Sequence, residues 1–187
     1  VALAQCEHEI GRRSAMMKRL RLFGPVRLWR LSIALQQRGL RPLAVLVKNV
    51  NSALYHNSLP PGAVVGADFR LEHHGFGTVI HTNVVIGRGV KIHQNVTIAM
   101  RAGSRSPYRI YIDDGVLIGA NCVIISPHHA NLRIGRGARI GAGAVVTADV
   151  PPGYTVVSAA ATLIAPDGQR TTLTRARERD HDEELQR

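Results

Sequence analysis

The chain has 187 residues, a formal net charge of +11 and only 4% aromatic residues. That length suits one domain or a small pair, and so few rings exclude a core built on Phe and Trp. Plentiful Gly, Ala, Val and Ile fit a regular stack of small and β-branched side chains instead. Cys6 and Cys122 stand far apart, with no CxxC and no Cys/His ligand spacing. This argues against a zinc module and against a disulfide framework; Cys122, inside an apolar run, reads as a buried small hydrophobe. No apolar run reaches the ~18 residues of a membrane-spanning helix, and the first residues lack the apolar core of a signal peptide. The expectation is a soluble cytoplasmic protein. Its excess charge has three possible anionic partners: nucleic acid, a membrane surface or a phosphate-bearing cofactor.

In chain order, residues 1–57 form a helical segment. Met16, Leu20 and Phe23 share helical spacing, as do Val26, Trp29, Ile33 and Leu40, and Gly24-Pro25 and Gly39 to Pro42 punctuate the run. Two or three helices are predicted to cap the element that follows, because an open solenoid end exposes apolar surface and unpaired strands.

Residues 58–164 are predicted to form a parallel β-helix. An aliphatic residue returns every six positions at Ile80, Ile86, Ile92 and Ile98, then at Ile112, Ile118 and Ile124, then at Ile134, Ile140 and Val146. A smaller apolar residue follows four positions later, as at Val84, Val90, Val96, Val116, Cys122, Ala138 and Ala144. A period of six fits neither a simple strand nor a helix. It marks a chain that turns a corner after each short strand, about three repeats closing one triangular coil. Three interruptions break the period: at His73 to Gly77, at residues 100–109, and around Ser126, Pro127, His128 and His129. Regular coils need no insertions, and loops on a rigid scaffold are where binding groups are placed. Pro151-Pro152-Gly153 bends the chain away, and residues 165–187 read as a charged tail, a frayed helix or disordered.

Histidines are the obvious chemical groups. Glu72-His73-His74-Gly75 places an acid and two imidazoles in the first interruption, and imidazole is the usual general base for a hydroxyl nucleophile. His81 and His93, by spacing, fall on different faces of the coil and read as polar corner residues; His128 and His129 read as a surface pair.

Four stretches carry a resemblance: Leu71-Glu72-His73; Val79 to Gly87; Gln94-Asn95-Val96-Thr97-Ile98; and Ile140 to Val146 followed by Val150-Pro151-Pro152-Gly153. Through them, residues 58–157 resemble the catalytic part of serine O-acetyltransferases and their shorter relatives from polysaccharide gene clusters. The resemblance implies an all-β left-handed parallel β-helix of hexapeptide repeats with an N-terminal α-helical segment, and O-acyl transfer from acetyl-CoA to a small acceptor. A homotrimer with sites between subunits is expected, because a single triangular coil offers flat faces and no deep pocket, so a cleft needs a neighbour. The resemblance implies that His73 is the base, with His74 as its competitor, and that Glu72 and Arg105 hold the amino group and carboxylate of a serine-like acceptor. It also implies that Ala120 and Ala142 line the coenzyme A groove, where Arg139 could meet a phosphate. Ser58 falls where the family has the Asp that orients the base, and Ser106 where it has a second histidine. With those departures, a sugar hydroxyl is the alternative acceptor and acyl carrier protein the alternative donor.

Outside acyl transfer, a γ-type carbonic anhydrase wants two histidines close in sequence and pointing the same way, which this chain lacks, so no metal is expected. A non-catalytic trimeric scaffold or a nucleic-acid binder would use the charge, but aromatics for base stacking are scarce, so neither nucleic acid nor membrane is an expected partner. The C-terminal Arg187 does not suit the aliphatic-tail docking by which such acetyltransferases bind cysteine synthase, so no such complex is expected.

Overall fold

The computed structural model describes residues 24–159, 162–164 and 169–172, which divide between two units, Val1–Val157 and Ser158–Arg187. Among the described residues, the first unit begins with helix α1, Pro25–Gln37, and helix α2, Arg41–Tyr55. Each has proline in its first turn, where the missing N–H has no intrahelical partner to lose. Helix α1 meets the first coil through Trp29. Its ring is fully buried and edge-on to Phe69 at 5.6 Å, and its indole N–H donates to the Pro60 carbonyl at 2.8 Å. Helix α2 packs on α1, buries Ala44 and Asn51, and leaves Leu43, Leu46 and Leu54 exposed.

The period of six closes into a left-handed parallel β-helix of about four turns with three flat faces. The first face stacks Val64–Val65, Val84–Ile86, Ile110–Ile112 and Leu132–Ile134. The second stacks Arg70–Leu71, Lys91–Ile92, Leu117–Ile118, Arg139–Ile140 and Thr155–Val156. The third stacks Val79–Ile80, Thr97–Ala99, Val123–Ile125 and Val145–Val146, with Ser58 bridged above Val79. All pairing in these faces is parallel and without a register shift: Ile92 lies on Ile118, which lies on Ile140.

The aliphatic positions point inward. Ile92, Ile98, Ile118, Ile124, Ile134 and Ile140 are fully buried, as are Val84, Val90, Val96, Val116, Cys122 and Ala138. Truncating one such isoleucine to alanine removes about 2–5 kcal/mol, so a few columns of aliphatic side chains account for the unit's cohesion. Corners between the first two faces are made by Asp68, Gly89, Gly115, Gly137 and Gly153, all at positive φ, the region that Gly and, less readily, Asp or Asn tolerate.

Cys122 behaves as the sequence suggests. It sits in an inward column, its thiol donates to the Gly141 carbonyl at 3.0 Å, and burial pushes its pKa up against weaker opposing backbone contacts. Thiolate is the reactive form. We therefore expect Cys122 to resist a thiol reagent in the folded protein and to be labelled only on unfolding, as read by mass spectrometry of its peptide; rapid labelling without unfolding would contradict this.

The second unit differs from expectation. Thr162–Ile164, assigned by its position to the coil, pairs antiparallel with Arg170–Thr172, assigned to the tail. The coil ends before these residues, and Arg170–Thr172 is a strand rather than a frayed helix. The expected behaviour of Arg187 and of residues 173–187 lies outside the described residues.

Candidate active site

Chain order fixes which edge of the prism each interruption occupies. The first follows Arg70–Leu71 on the second face and precedes Val79–Ile80 on the third. Residues 100–109 and 126–131 both leave the third face and return to the first, so they stack on the next edge. The third face separates the two edges. Five residues, from Val79 to Asn83, cross it, a width of about 15 Å at ~3.3 Å per residue.

On the first of these edges, the corners of successive coils are Glu72-His73, His93-Gln94, Gly119-Ala120 and Gly141-Ala142. Main-chain bonds join them: Asn95 N–H donates to Phe76 O at 2.8 Å, Asn121 N–H to Gln94 O at 3.1 Å, and Gly143 N–H to Ala120 O at 2.8 Å. His73, Ala120 and Ala142 therefore stand in one line. A Cβ on Gly119 would lie 2.6 Å from Ala142 N, so glycine is what lets the coils approach here. Ala142 is exposed and Ala120 half-buried, which leaves a shallow strip of backbone beneath the histidines. Arg139 is exposed on the neighbouring second face, two residues before Gly141.

The two adjacent histidines go separate ways. Both lie in a short 3-10 turn, Glu72–Gly75, with left-handed backbone, His73 at φ 49° and His74 at φ 59°. Two consecutive non-glycine residues in that region cost about 1–3 kcal/mol each, a kind of strain that gathers at functional sites. His74 stacks on Tyr55 at 5.8 Å and lies edge-on to Phe76 at 6.4 Å, within an aromatic group at the end of α2. His73 is exposed, and its ring neighbour is His93 of the next coil at 6.2 Å. His93, read from spacing as a corner residue, thus faces the candidate base. The extra residues of the first interruption bring these corners into line, and spacing alone does not reveal that. The side-chain oxygen of Gln94 beside it is buried, with no hydrogen-bond partner among the described residues.

The remaining candidates are placed less compactly. Ser58 joins the coil through its main chain, donating to Thr78 O at 2.9 Å and accepting from Ile80 N at 3.0 Å; among the described residues its hydroxyl makes no hydrogen bond to His73. Glu72 is half-buried and forms no ion pair among the described residues. Arg105 is exposed in the loop on the far edge, so one chain does not bring it to His73. That loop is held from the coil above. Asn83, a buried residue, donates through Nδ2 to Ser106 O at 3.0 Å and to Tyr108 O at 3.3 Å, and its own N–H donates to His81 Nδ1 at 3.1 Å.

Burial holds the His81 imidazole below its ordinary pKa. The unfolded chain then binds a proton that the folded chain refuses, so this group's contribution to stability is lost as pH falls from about 6.5 towards the folded value. We expect urea melts to show a loss of stability on acidification through this range, and His81→Gln to reduce that loss; an unchanged pH dependence in the variant would contradict it.

Among the described residues no group of three or more His, Cys, Asp or Glu side chains could hold a metal ion, and no helix is long and apolar enough to cross a membrane.

No family model matches the chain. It is similar to the serine acetyltransferase of Escherichia coli, 32% identical over 155 residues, which are 82% of this chain and 55% of the relative. It is 37% identical over 131 residues to that of Mycobacterium tuberculosis, covering 68% of this chain and 54% of the relative. Among solved structures, it resembles the Neisseria gonorrhoeae serine acetyltransferase in complex with serine (36% identity, TM-score 0.64, 73% of this chain and 54% of the other). It also resembles the Brucella abortus serine acetyltransferase in complex with coenzyme A (29%, TM-score 0.65, 72% and 52%). The chain spans about half the length of these relatives. Fold and repeat define a left-handed β-helix protein of the hexapeptide-repeat class. Within that class, the chain is a serine O-acetyltransferase-like protein.

Proposed function

We propose that this protein transfers an acetyl group from acetyl-CoA to the hydroxyl of a small acceptor, serine or a serine-like amino acid first, with His73 as the general base. One observation carries this reading: His73, His93, Ala120 and Ala142 occupy consecutive coil corners on a single edge. A pantetheine arm lying along Ala120 and Ala142, where no side chain beyond a methyl group stands in the way, brings its thioester up to the two imidazoles. His73 takes the acceptor hydroxyl proton as the oxygen attacks the thioester carbonyl. The C–S bond breaks as the tetrahedral adduct collapses, and the imidazolium returns the proton to the departing thiolate. His93, its ring 6.2 Å from that of His73, would donate a hydrogen bond to the developing oxyanion. The net positive charge, with Arg139 beside the groove, draws in the phosphates of the donor. The serine and coenzyme A held by the similar structures agree with this pair of substrates.

Glu72 would hold the acceptor amino group and Arg105 its carboxylate. Since Arg105 sits a face away from His73, the complete site needs a second copy. The outward side of the intervening face is uncharged: Val79, Thr97, Ala99, Val123, Ile125 and Val145. A homotrimer packed through this face sets the loop of one subunit against the His73 edge of the next. Ser58 and Ser106, in place of a carboxylate and an imidazole, make a sugar hydroxyl the second reading.

Release of free thiol from acetyl-CoA, followed with L-serine and with a panel of amino acids and sugars, tests the reading. Acceptor-dependent release by a particle of trimeric mass in light scattering is the expected result. No release with any hydroxyl acceptor would overturn it.

A further inference from the structure

The two insertions on the far edge are not independent. Three residues stand one above another just before the strands of the first face: Asn83 before Val84–Ile86, Arg109 before Ile110–Ile112, and Asn131 before Leu132–Ile134. From above, Asn83 reaches into the loop at residues 100–109 with its amide and fixes two of its carbonyls, Ser106 and Tyr108, while its own carbonyl accepts from Ile110 N at 3.2 Å. From below, the Asn131 side-chain oxygen accepts from Arg109 N at 2.9 Å, and the ring of His129 lies edge-on to Tyr108 at 6.4 Å. Inside the loop, Ser106 Oγ accepts from Tyr108 N at 3.2 Å. The turn that carries Arg105 is thus gripped by the coils on either side. Asn83 is buried at 9% relative exposure, and a buried amide in an otherwise aliphatic stack is retained only where its polar atoms are satisfied. Here, the loop carbonyls satisfy its Nδ2 donors.

We propose that Asn83 and the insertion at residues 126–131 clamp the loop at residues 100–109, and that this clamp sets the protein's affinity for its acceptor. Asn83 is a positioning residue: it acts through Arg105 and touches no substrate. The insertion containing His128 and His129 is the lower jaw of the clamp and not a free-standing surface loop. The inference rests on the acyl-transfer reading for its consequence, while the clamp itself can be tested without any activity.

The test combines backbone hydrogen exchange with steady-state kinetics on Asn83→Leu, which keeps the volume and removes the amide, and on Asn131→Ala, an exposed position that loosens the lower jaw without touching the core. We expect exchange at residues 100–109 to quicken about tenfold in each variant, the scale of one or two lost hydrogen bonds, while the protection of the buried coil strands is unchanged. We expect KM for the acceptor to rise about tenfold, with KM for acetyl-CoA unmoved. Should Asn83→Leu fail to fold, Asn131→Ala decides both points. Unaltered exchange in the loop would overturn the clamp, and faster exchange with an unchanged acceptor KM would overturn its role in acceptor affinity. If the unaltered protein transfers no acyl group, the proposed function fails, and the exchange result still decides whether the clamp exists.

Discussion

Replacing His73 with alanine is expected to lower kcat about 10²–10⁴-fold, the usual contribution of a positioned general base, with little change in KM for the donor. His73 is exposed and packs none of its ring into the core, so the variant should unfold at about the same urea concentration, or a slightly lower one because alanine tolerates the left-handed turn less well than histidine. His74→Ala makes the sharper comparison. His74 shares the backbone conformation but is stacked on Tyr55 and edge-on to Phe76, so its loss should loosen the end of α2 and leave most of the turnover. Parallel kcat and stability measurements on the two variants separate the roles. A large loss of turnover in His74→Ala with His73→Ala nearly normal would reverse the assignment.

Replacing Arg105 with alanine is expected to act on the acceptor instead. A hydrogen bond to a charged group contributes about 1.5–3 kcal/mol, and a guanidinium can pair with a carboxylate through two such bonds at once. The acceptor KM should therefore rise roughly 10–100-fold, with donor KM unaffected and stability unchanged, since Arg105 is exposed and its side chain makes no ion pair among the described residues. Because a lysine presents a point charge in place of a planar fork, Arg105→Lys should recover only part of the loss. If Arg105→Ala leaves the KM of the best acceptor untouched, that acceptor has no carboxylate, and the sugar hydroxyl becomes the better reading.

Much of the fold was legible because its core is one-dimensional. Ile92, Ile118 and Ile140 recur with the six-residue period wherever no loop intervenes, and each coil places its isoleucine on the one before. The inward role of Cys122 followed from the same register. Glu72, the two histidines and the glycines that follow them marked the first interruption as a candidate site, while the choice of His73 over His74 rested on the family resemblance. His93 was not legible, because its partner lies twenty residues away and meets it only once the coils stack. Nor could spacing show that residues 100–109 and 126–131 share an edge, since each loop absorbs an irregular number of residues before the period resumes. Asn83 has no signature at all: one amide in a turn becomes meaningful only when two carbonyls of a distant loop arrive on it. The pairing of Thr162–Ile164 with Arg170–Thr172 was hidden for a different reason, as Arg170-Thr171-Thr172 contains no apolar residue to mark it as a strand.

The central claim is that acyl transfer occurs at a site built from His73 of one subunit and Arg105 of another. Thiol release from acetyl-CoA tests it most directly when His73→Ala and Arg105→Ala chains are co-expressed and assembled together at limiting acceptor. Each variant alone should be nearly inactive. With random assembly into trimers, about one site in four over the whole population, one in each mixed trimer, takes both intact residues from different chains, so a measurable fraction of the unaltered activity should return. Activity no higher than that of the two variants measured apart would contradict a site shared between subunits.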